Sequence, residues 1–170
     1  MLIDNLNAAY PLASNGARWQ IFTDQVMGGV SQGTAAREIV AGRAAIRMRG
    51  DVSLANNGGF VQIGLDLAPD GGLFDAGGFD GIEIDVRGNG ENYGVHLRTD
   101  AVRRPWQSYR QSLVATENWR TVRLPFTGFT PHRIDAQPDV RRLRRVGIVA
   151  IGRAFAADVA LARLAFYRSA

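Results

Sequence analysis

Apolar and polar residues alternate along most of the chain, which is the pattern expected of β-strands that bury one face. In the segment 82–87, for example, Ile82, Ile84 and Val86 would share one face and the charged residues between them would share the other. Ten segments of this character predict strands at residues 18–22, 30–38, 44–49, 60–67, 82–87, 93–100, 106–114, 119–124, 146–151 and 158–167.

Glycine-rich turns separate these segments, as an all-β protein requires. The sequence Gly88-Asn89-Gly90 lies between two alternating segments and predicts a hairpin. Ten short strands at regular spacing predict one all-β domain over residues 1–170, a sandwich or a barrel, with its core at about 18–168 and residues 1–17 as a lead-in. One or two short helices are expected, at residues 3–9 and 138–143.

Composition restricts the possible chemistry. The chain has 170 residues, 46% of them hydrophobic, which suits one globular domain. It contains no cysteine, which excludes disulfides, thiolate metal sites and a cysteine nucleophile. All 20 basic residues are arginine, so a Schiff-base lysine and a P-loop lysine are also excluded. The start of the chain has no basic region before an apolar segment, and no apolar segment is long enough to span a membrane, which predicts a cytoplasmic protein.

Catalytic patterns are weak. The two histidines, His96 and His132, are not spaced as metal ligands, and no Gly-x-Ser-x-Gly motif occurs. Asp24, Glu83 and Asp85 are the carboxylates to consider as a catalytic pair, because a glycosidase needs two across a cleft. We therefore predict a protein that is not an enzyme, with no cofactor and no metal ion.

The segment 19–33 is the most distinctive part of the chain. It begins with an aromatic strand, continues into a turn with Asp24, and reaches Gly28, Gly29 and Ser31. A backbone nest at the two glycines could hold an anion or a sugar hydroxyl. The alternative is a glycine turn between two strands, and residue types alone favour that alternative.

Three further segments could bind a ligand or a partner. Asn57 lies among glycines, where an amide either binds a ligand or closes its own turn. The polar face of the central strands combines arginine and aromatic residues, which would suit a carboxylate, a sugar ring or a peptide, although a solvated outer face is common in sandwiches. The basic segment 141–145 is better explained as a solvated surface than as a nucleic-acid site. The candidates on the polar face are His96, Arg98 and Arg110, with Tyr109 or Trp106 nearby.

Several motifs together resemble those of the complex I intermediate-associated protein 30 family. Trp19 is followed by Asp-Gln-Val-Met-Gly-Gly-Val-Ser at 24–31, which is similar to the family's Asp-x-Val-Met-Gly-Gly-x-Ser signature. The resemblance extends to Asn-Gly-Gly-Phe at 57–60 and to the segment 119–129, and it covers about 19–167. The turn at Asn89 departs from it, because the family more often has an aspartate there.

The resemblance implies a jelly-roll β-sandwich that is galactose-binding-domain-like, and a non-catalytic assembly factor or chaperone of respiratory complex I, here in a bacterial or other soluble form. We expect a protein partner, with a carbohydrate ligand as the alternative and an enzyme as the third hypothesis; no nucleic acid is expected. We expect Trp19 and Met27 to be buried in a structural corner. Besides the polar-face residues, the binding candidates are Asp24, Gly28, Gly29, Ser31 and Asn57.

Overall fold

The structure is a computed structural model that describes all residues from Met1 to Ala170. It contains twelve β-strands and no α-helix. The strands are β1 Leu2–Asp4, β2 Gln20–Thr23, β3 Gln32–Val40, β4 Arg43–Val52, β5 Phe60–Asp66, β6 Gly81–Gly88, β7 Asn92–Thr99, β8 Ser108–Val114, β9 Arg120–Pro125, β10 Thr130–His132, β11 Leu143–Ile151 and β12 Phe155–Tyr167. Four 3₁₀ turns lie at Asp24–Met27, Ala55–Asn57, Phe126–Gly128 and Val140–Arg142.

The strands form two six-stranded antiparallel sheets that pack face to face. The first, which we call the front sheet, has the order β10-β8-β7-β11-β5-β2. The second, the back sheet, has the order β3-β4-β12-β6-β9, and β1 pairs with β12 beside it. Every pairing between neighbouring strands is antiparallel. The architecture is a jelly-roll β-sandwich, as expected.

The core lies between the two sheets and consists of one cluster of 35 buried residues. On β7, Tyr93, Val95 and Leu97 point into this cluster, whereas His96 and Arg98 lie on the opposite face of the sheet. The predicted assignment of inner and outer faces is therefore confirmed for this strand. It is confirmed equally for β5 and β6, whose alternate apolar residues are all buried.

All ten predicted strands are present, and two strands of three residues were missed. Of these, β1 occupies the segment for which a helical turn was expected, so that prediction was wrong. The reason lies in β12, whose first half pairs with β4 as far as Leu161 on one side. Beyond Leu161 that edge of β12 no longer has β4 as a partner. There β1 pairs with β12 instead, with Leu2 opposite Ala165 and Asp4 opposite Leu164.

The predicted hairpin at Gly88-Asn89-Gly90 was also wrong, because β6 belongs to the back sheet and β7 to the front sheet. This turn carries the chain from one sheet to the other. Its backbone N–H groups donate to the segment that follows β8. The N–H of Gly88 donates to the carbonyl oxygen of Thr116, and the N–H of Gly90 donates to the carbonyl oxygen of Ala115. The Asn89 amide donates to a carbonyl in β12 and accepts a hydrogen bond from the hydroxyl of Tyr93.

Trp19 is buried, with 3% of its surface exposed, as expected. Its indole N–H donates to the carboxylate of Asp4 at 2.7 Å. Asp4 is fully buried and also accepts hydrogen bonds from the backbone of Leu6 and from Ser14. Residues near the start of the chain are thereby packed against the sandwich. None of the helical turns has the length or apolar character that crossing a bilayer requires.

Candidate functional site

A groove crosses the outer face of the front sheet. Its first half has a volume of about 430 Å³ and lies over β5, β7, β8 and β11, between the loop that follows β4 and the loop that joins β7 to β8. Its second half, also about 430 Å³, extends toward β2 and the start of β11. The two halves share Phe60, Gln62 and Pro105, so they form one continuous surface.

Glycines in the strands give the groove its flat floor. Gly94 lies beneath the imidazole of His96, and a Cβ at that position would stand 2.8 Å from its Nε2. Gly147 lies beneath the amide of Gln62, and a Cβ there would stand 2.5 Å from Nε2 of that side chain. Glycine inside a strand often marks such a close approach. The two polar side chains can therefore lie along the sheet, where a ligand would meet them.

One wall of the groove is the loop between β7 and β8, which carries Pro105 and Trp106. Arg98 holds this loop, since its guanidinium donates to the carbonyl oxygen of Gln107 at 3.1 Å. The side chain of Gln107 in turn accepts hydrogen bonds from the N–H groups of Arg103 and Arg104. The loop keeps the Trp106 side chain 46% exposed at the edge of the groove.

The opposite wall is held by the buried carboxylate of Asp24. Its Oδ1 accepts a hydrogen bond from the N–H of Ser31 at 2.9 Å. Its Oδ2 accepts from the Ser31 hydroxyl and from the N–H groups of Gly59, at 2.5 Å, and Phe60, at 3.3 Å. Asp24 therefore ties the Met-Gly-Gly-Val-Ser segment to the Asn-Gly-Gly-Phe segment, and the latter lines the groove.

Two glycines make room for this carboxylate. A Cβ at Gly29 would collide with the side chain of Asp24, and a Cβ at Gly58 would lie 2.5 Å from its Oδ2. Burial by itself would raise the pKa of Asp24, but the hydrogen bonds from Ser31, Gly59 and Phe60 outweigh it and lower the pKa below its ordinary value. The group is thus an ionised structural anchor behind the groove.

The groove is strongly cationic. Five arginines line it against a single carboxylate, that of Asp66. This local excess of positive charge is as large as the net charge of the whole chain, +4. The five arginines are Arg98, Arg110, Arg133, Arg144 and Arg145.

His96 lies at the centre of this field and is uncharged at neutral pH. Burial lowers the pKa of His96 to about 3, and repulsion by Arg110, by His132 when acid has protonated it, and by Arg98 adds to the effect. Burial likewise lowers the pKa of His132, with help from Arg110 and Arg133. Both imidazoles can therefore donate one hydrogen bond and accept one, as neutral rings do.

Arg98 and Arg110 are half-buried, and neither has a carboxylate partner in the protein. Arg98 bonds only to backbone carbonyls, and Arg110 donates to the hydroxyl of Ser108 at 2.8 Å. Burial lowers the pKa of both guanidiniums, and the neighbouring Arg145 and Arg133 lower it further. Arginine keeps its charge in proteins, so both groups present positive charge to the groove.

The segments that the sequence proposed for binding occupy three different places in the structure. Met27 was expected to be buried, but it is 43% exposed, because it ends a 3₁₀ turn that projects beside the groove. Gly28 follows it in a left-handed conformation and is exposed. Asn57, His96, Arg98 and Arg110 line the groove or its extension. Asp24, Gly29 and Ser31 lie buried behind the groove wall.

Tyr109 cannot contact a partner, because its side chain is fully buried between the sheets. It lies next to Arg110 in the strand, and neighbouring residues of a strand point to opposite faces. Its hydroxyl donates to the carbonyl oxygen of Ala136 at 2.9 Å.

Gln62, Pro105 and Arg133 also line the groove, although the sequence did not indicate them as candidates. The alternation of β5 contained a signal for Gln62, which occupies the polar face of that strand. Arg133 carried no such signal, since it lies in the loop after β10, a strand that the sequence did not predict.

Of the three carboxylates considered for catalysis, Glu83 and Asp85 share one face of β6, where ion pairs occupy both, and Asp24 lies apart from them. Glu83 is paired with Arg123 and Arg163, and Asp85 with Arg43, on the outer face of the back sheet. Asp24 is enclosed behind the groove wall.

The basic segment 141–145 is partly neutralised. Arg142 pairs with Asp100, and Arg145 pairs with Asp66 at 2.9 Å. No three histidine or carboxylate side chains converge in the way that a metal site requires.

Two six-stranded antiparallel sheets in this order, with a groove on the outer face of one of them, define the class of fold, a jelly-roll β-sandwich. The sequence assigns the chain within this class. Residues 10–160 match the model of the complex I intermediate-associated protein 30 family, and the chain belongs to that family.

The fold is also that of solved carbohydrate-binding modules. The family 11 module of a cellulosomal cellulase of Clostridium thermocellum superimposes with a TM-score of 0.73 at 12% identity, over 99% of this chain and 94% of that one. A family 11 module from Clostridium thermocellum in complex with a β-1,3-1,4-mixed-linked tetrasaccharide gives a TM-score of 0.71 at 13% identity, over 99% of this chain and 95% of that one.

A family 30 module of another cellulosomal cellulase of that organism gives a TM-score of 0.59 at 15% identity, over 78% of this chain and 82% of that one. At such low identity these similarities establish the fold alone. Among curated proteins, none matches the sequence.

Proposed function

We propose that this protein is a non-catalytic binding module that holds a segment of a partner protein in the groove on its front sheet. The supporting observation is a set of exposed apolar side chains around a cationic, partly buried centre. Exposed apolar side chains grouped at a concave surface are typical of protein-binding sites. Those at the edges of this groove are Val26, Met27, Leu54 and Trp106.

The chemistry of these side chains supports a polypeptide ligand. Val26, Met27 and Leu54 are aliphatic or flexible, and such side chains adapt to the varied surface of a peptide. A groove that crosses several strands also suits an extended segment. Membership of the complex I intermediate-associated protein 30 family supports a partner that is a subunit or assembly intermediate of respiratory complex I.

Site-specific photo-crosslinking in the native host tests this proposal. Benzoylphenylalanine is placed at Leu54, which is 51% exposed at the groove, or at Ile39, which is 69% exposed on β3 of the back sheet. Crosslinked products are identified by mass spectrometry. We expect the position at Leu54 to capture a complex I subunit or assembly protein, and the position at Ile39 to capture none.

Equal crosslinking from both positions would refute the groove as the binding surface. Capture of proteins unrelated to respiratory complexes would refute the proposed client. Since both positions are exposed, neither substitution should disturb the core, and unchanged melting curves would verify this.

A carbohydrate ligand is the second candidate, and it is favoured by one observation, the exposure of Trp106. Sugar rings stack on exposed aromatic side chains. The other two tryptophans are unsuitable, because Trp19 is buried and the ring of Trp119 packs against a buried cluster and lies under the guanidinium of Arg43. A module of the same fold has been solved with a mixed-linked tetrasaccharide.

A glycan array with the wild-type protein and the Trp106→Ala variant separates the two candidates. Binding of a neutral glycan that disappears in the variant, together with no crosslink from Leu54, would favour the carbohydrate. Absence of any glycan binding would leave the protein partner as the function of the groove.

A further inference from the structure

We propose that the partner segment held in the groove is acidic, and that its carboxylates are bound by Arg98 and Arg110, the two arginines next to His96 on the face of the sheet. This inference rests on the proposed function and adds the chemistry of the ligand. It follows from the way charges are paired on the two outer faces of the sandwich.

On the back sheet, all of the outer-face arginines except Arg87 are paired with carboxylates within the protein. Arg47 and Asp158 form a two-point pair, with distances of 2.8 and 2.7 Å between nitrogen and oxygen. Arg123 and Arg163 share Glu83 at 2.7 and 2.6 Å. This face therefore has little unsatisfied charge to offer a ligand.

On the front sheet, most arginines have no carboxylate partner. Of the five arginines in the groove, only Arg145 has a carboxylate partner, Asp66, at 2.9 Å. Arg98, Arg110, Arg133 and Arg144 form no ion pair with the protein. A half-buried guanidinium without a counter-ion is costly, and an incoming carboxylate would compensate for the lost hydration.

The geometry of the strands places these charges where one segment could reach them. His96 on β7 lies directly opposite Arg110 on β8 and opposite Gly147 on β11. Arg98 lies two residues farther along β7, on the same face. Since Gly147 and Gly94 let the side chains of Gln62 and His96 lie flat along the sheet, a chain crossing the groove can approach both guanidiniums over a low floor.

The neutral state of His96 fits this role. A charged imidazole between the arginines would increase their repulsion, whereas a neutral ring can donate one hydrogen bond to a carboxylate. The apolar edges formed by Met27, Leu54 and Trp106 would contact the remainder of the segment. A ligand with both carboxylates and apolar side chains is an acidic peptide rather than a uniformly polar sugar.

Fluorescence anisotropy with two labelled peptides tests the proposal. The probes alternate leucine with glutamate in one case and leucine with glutamine in the other, at equal length. The two peptides differ only in whether they carry carboxylates or neutral amides. We expect the protein to bind the glutamate peptide at least about ten-fold more tightly than the glutamine peptide, because only carboxylates pair with the arginines. Added salt should reduce this preference.

Three variants locate the binding site. Arg110→Gln should weaken binding of the glutamate peptide by about ten-fold or more, since it removes a desolvated charge. Arg133 is exposed, so Arg133→Gln should leave the fold unchanged, and it should weaken binding of the glutamate peptide less than Arg110→Gln does. Arg120→Gln removes the same charge from an exposed arginine of the back sheet that has no carboxylate partner, and should leave the affinity unchanged within about two-fold.

Equal weakening by Arg120→Gln would overturn the proposal, because it would show attraction to the net charge of the protein. Equal affinity for the glutamate and glutamine peptides would overturn it as well. If polygalacturonate binds more tightly than the glutamate peptide, the carboxylates recognised belong to a sugar and the acidic peptide is refuted. Crosslinks from Leu54 to a partner without a preference for glutamate would refute only this inference and leave the proposed function intact.

Discussion

Replacing Asp24 by asparagine should destabilise the protein strongly although the two side chains have the same shape. The carboxylate accepts four hydrogen bonds, from the N–H and hydroxyl of Ser31 and from the N–H groups of Gly59 and Phe60. Asparagine has only one acceptor oxygen. In either orientation its NH₂ group would face at least one of these donors.

The expected magnitude follows from these contacts. Leaving one buried N–H without an acceptor costs about 1–3 kcal/mol, and exchanging a charged for a neutral acceptor weakens each of the other bonds by about 0.5 kcal/mol. We therefore expect Asp24→Asn to lower the free energy of unfolding by about 3 kcal/mol. For a domain of this size that corresponds to a Tm lower by about 6–12 °C.

Urea denaturation of the wild type and two variants measures this effect. The control is Asp70→Asn, since Asp70 is exposed and accepts a hydrogen bond only from the N–H of Gly72. The control should lie within about 0.5 kcal/mol of the wild type. A loss below about 1 kcal/mol for Asp24→Asn, or an equal loss for both variants, would refute the role assigned to the buried carboxylate.

The effect should also depend on pH. Because the pKa of Asp24 is lowered in the folded protein, its contribution is fully present above the ordinary value of 3.8. It is lost as the pH falls through the lower folded pKa. The difference in stability between the wild type and Asp24→Asn should therefore shrink below that value, and a difference that stays constant would contradict the assignment.

Two further predictions concern the groove floor and the start of the chain. Folding lowers the pKa of His96 to about 3, so between this value and the ordinary 6.5 the unfolded chain binds a proton that the folded protein does not. Lowering the pH from about 6 to about 4 should therefore reduce the free energy of unfolding by about 1.4 kcal/mol per pH unit. His96→Gln should reduce this slope, and an NMR titration that found a ring pKa near 6.5 would refute it. Trp19→Phe removes the 2.7 Å hydrogen bond to Asp4 and leaves space around a smaller ring, so we expect a loss of about 2–3 kcal/mol in thermal or urea unfolding. An unchanged Tm would contradict the role of this pair.

The sequence by itself determined the strands and their faces. Period-two alternation is a local property, and it assigned Tyr93, Val95 and Leu97 to the core and His96 and Arg98 to the outer face. The absence of cysteine and lysine likewise excluded several kinds of chemistry, because those reactions need a thiolate or an amine. The family motifs were visible as well, because they are short contiguous segments.

What alternation could not provide was the pairing of strands. The turn at Asn89 has the composition of a hairpin, yet it joins two different sheets, because β6 finds its partners in β9 and β12. The three-residue strands β1 and β10 are too short for a periodic signal. Their existence depends on sheet edges that only the assembled fold creates.

Only the tertiary structure decided the site. It brought together Gln62, His96 and Arg110 from separate strands, with Trp106 from a loop, and it showed which arginines have no counter-ion. It also explained the most distinctive segment of the sequence, in which Asp24 anchors the groove wall from behind. Such relations depend on contacts between residues far apart in the chain, and these are set by the packing of the two sheets rather than by local sequence.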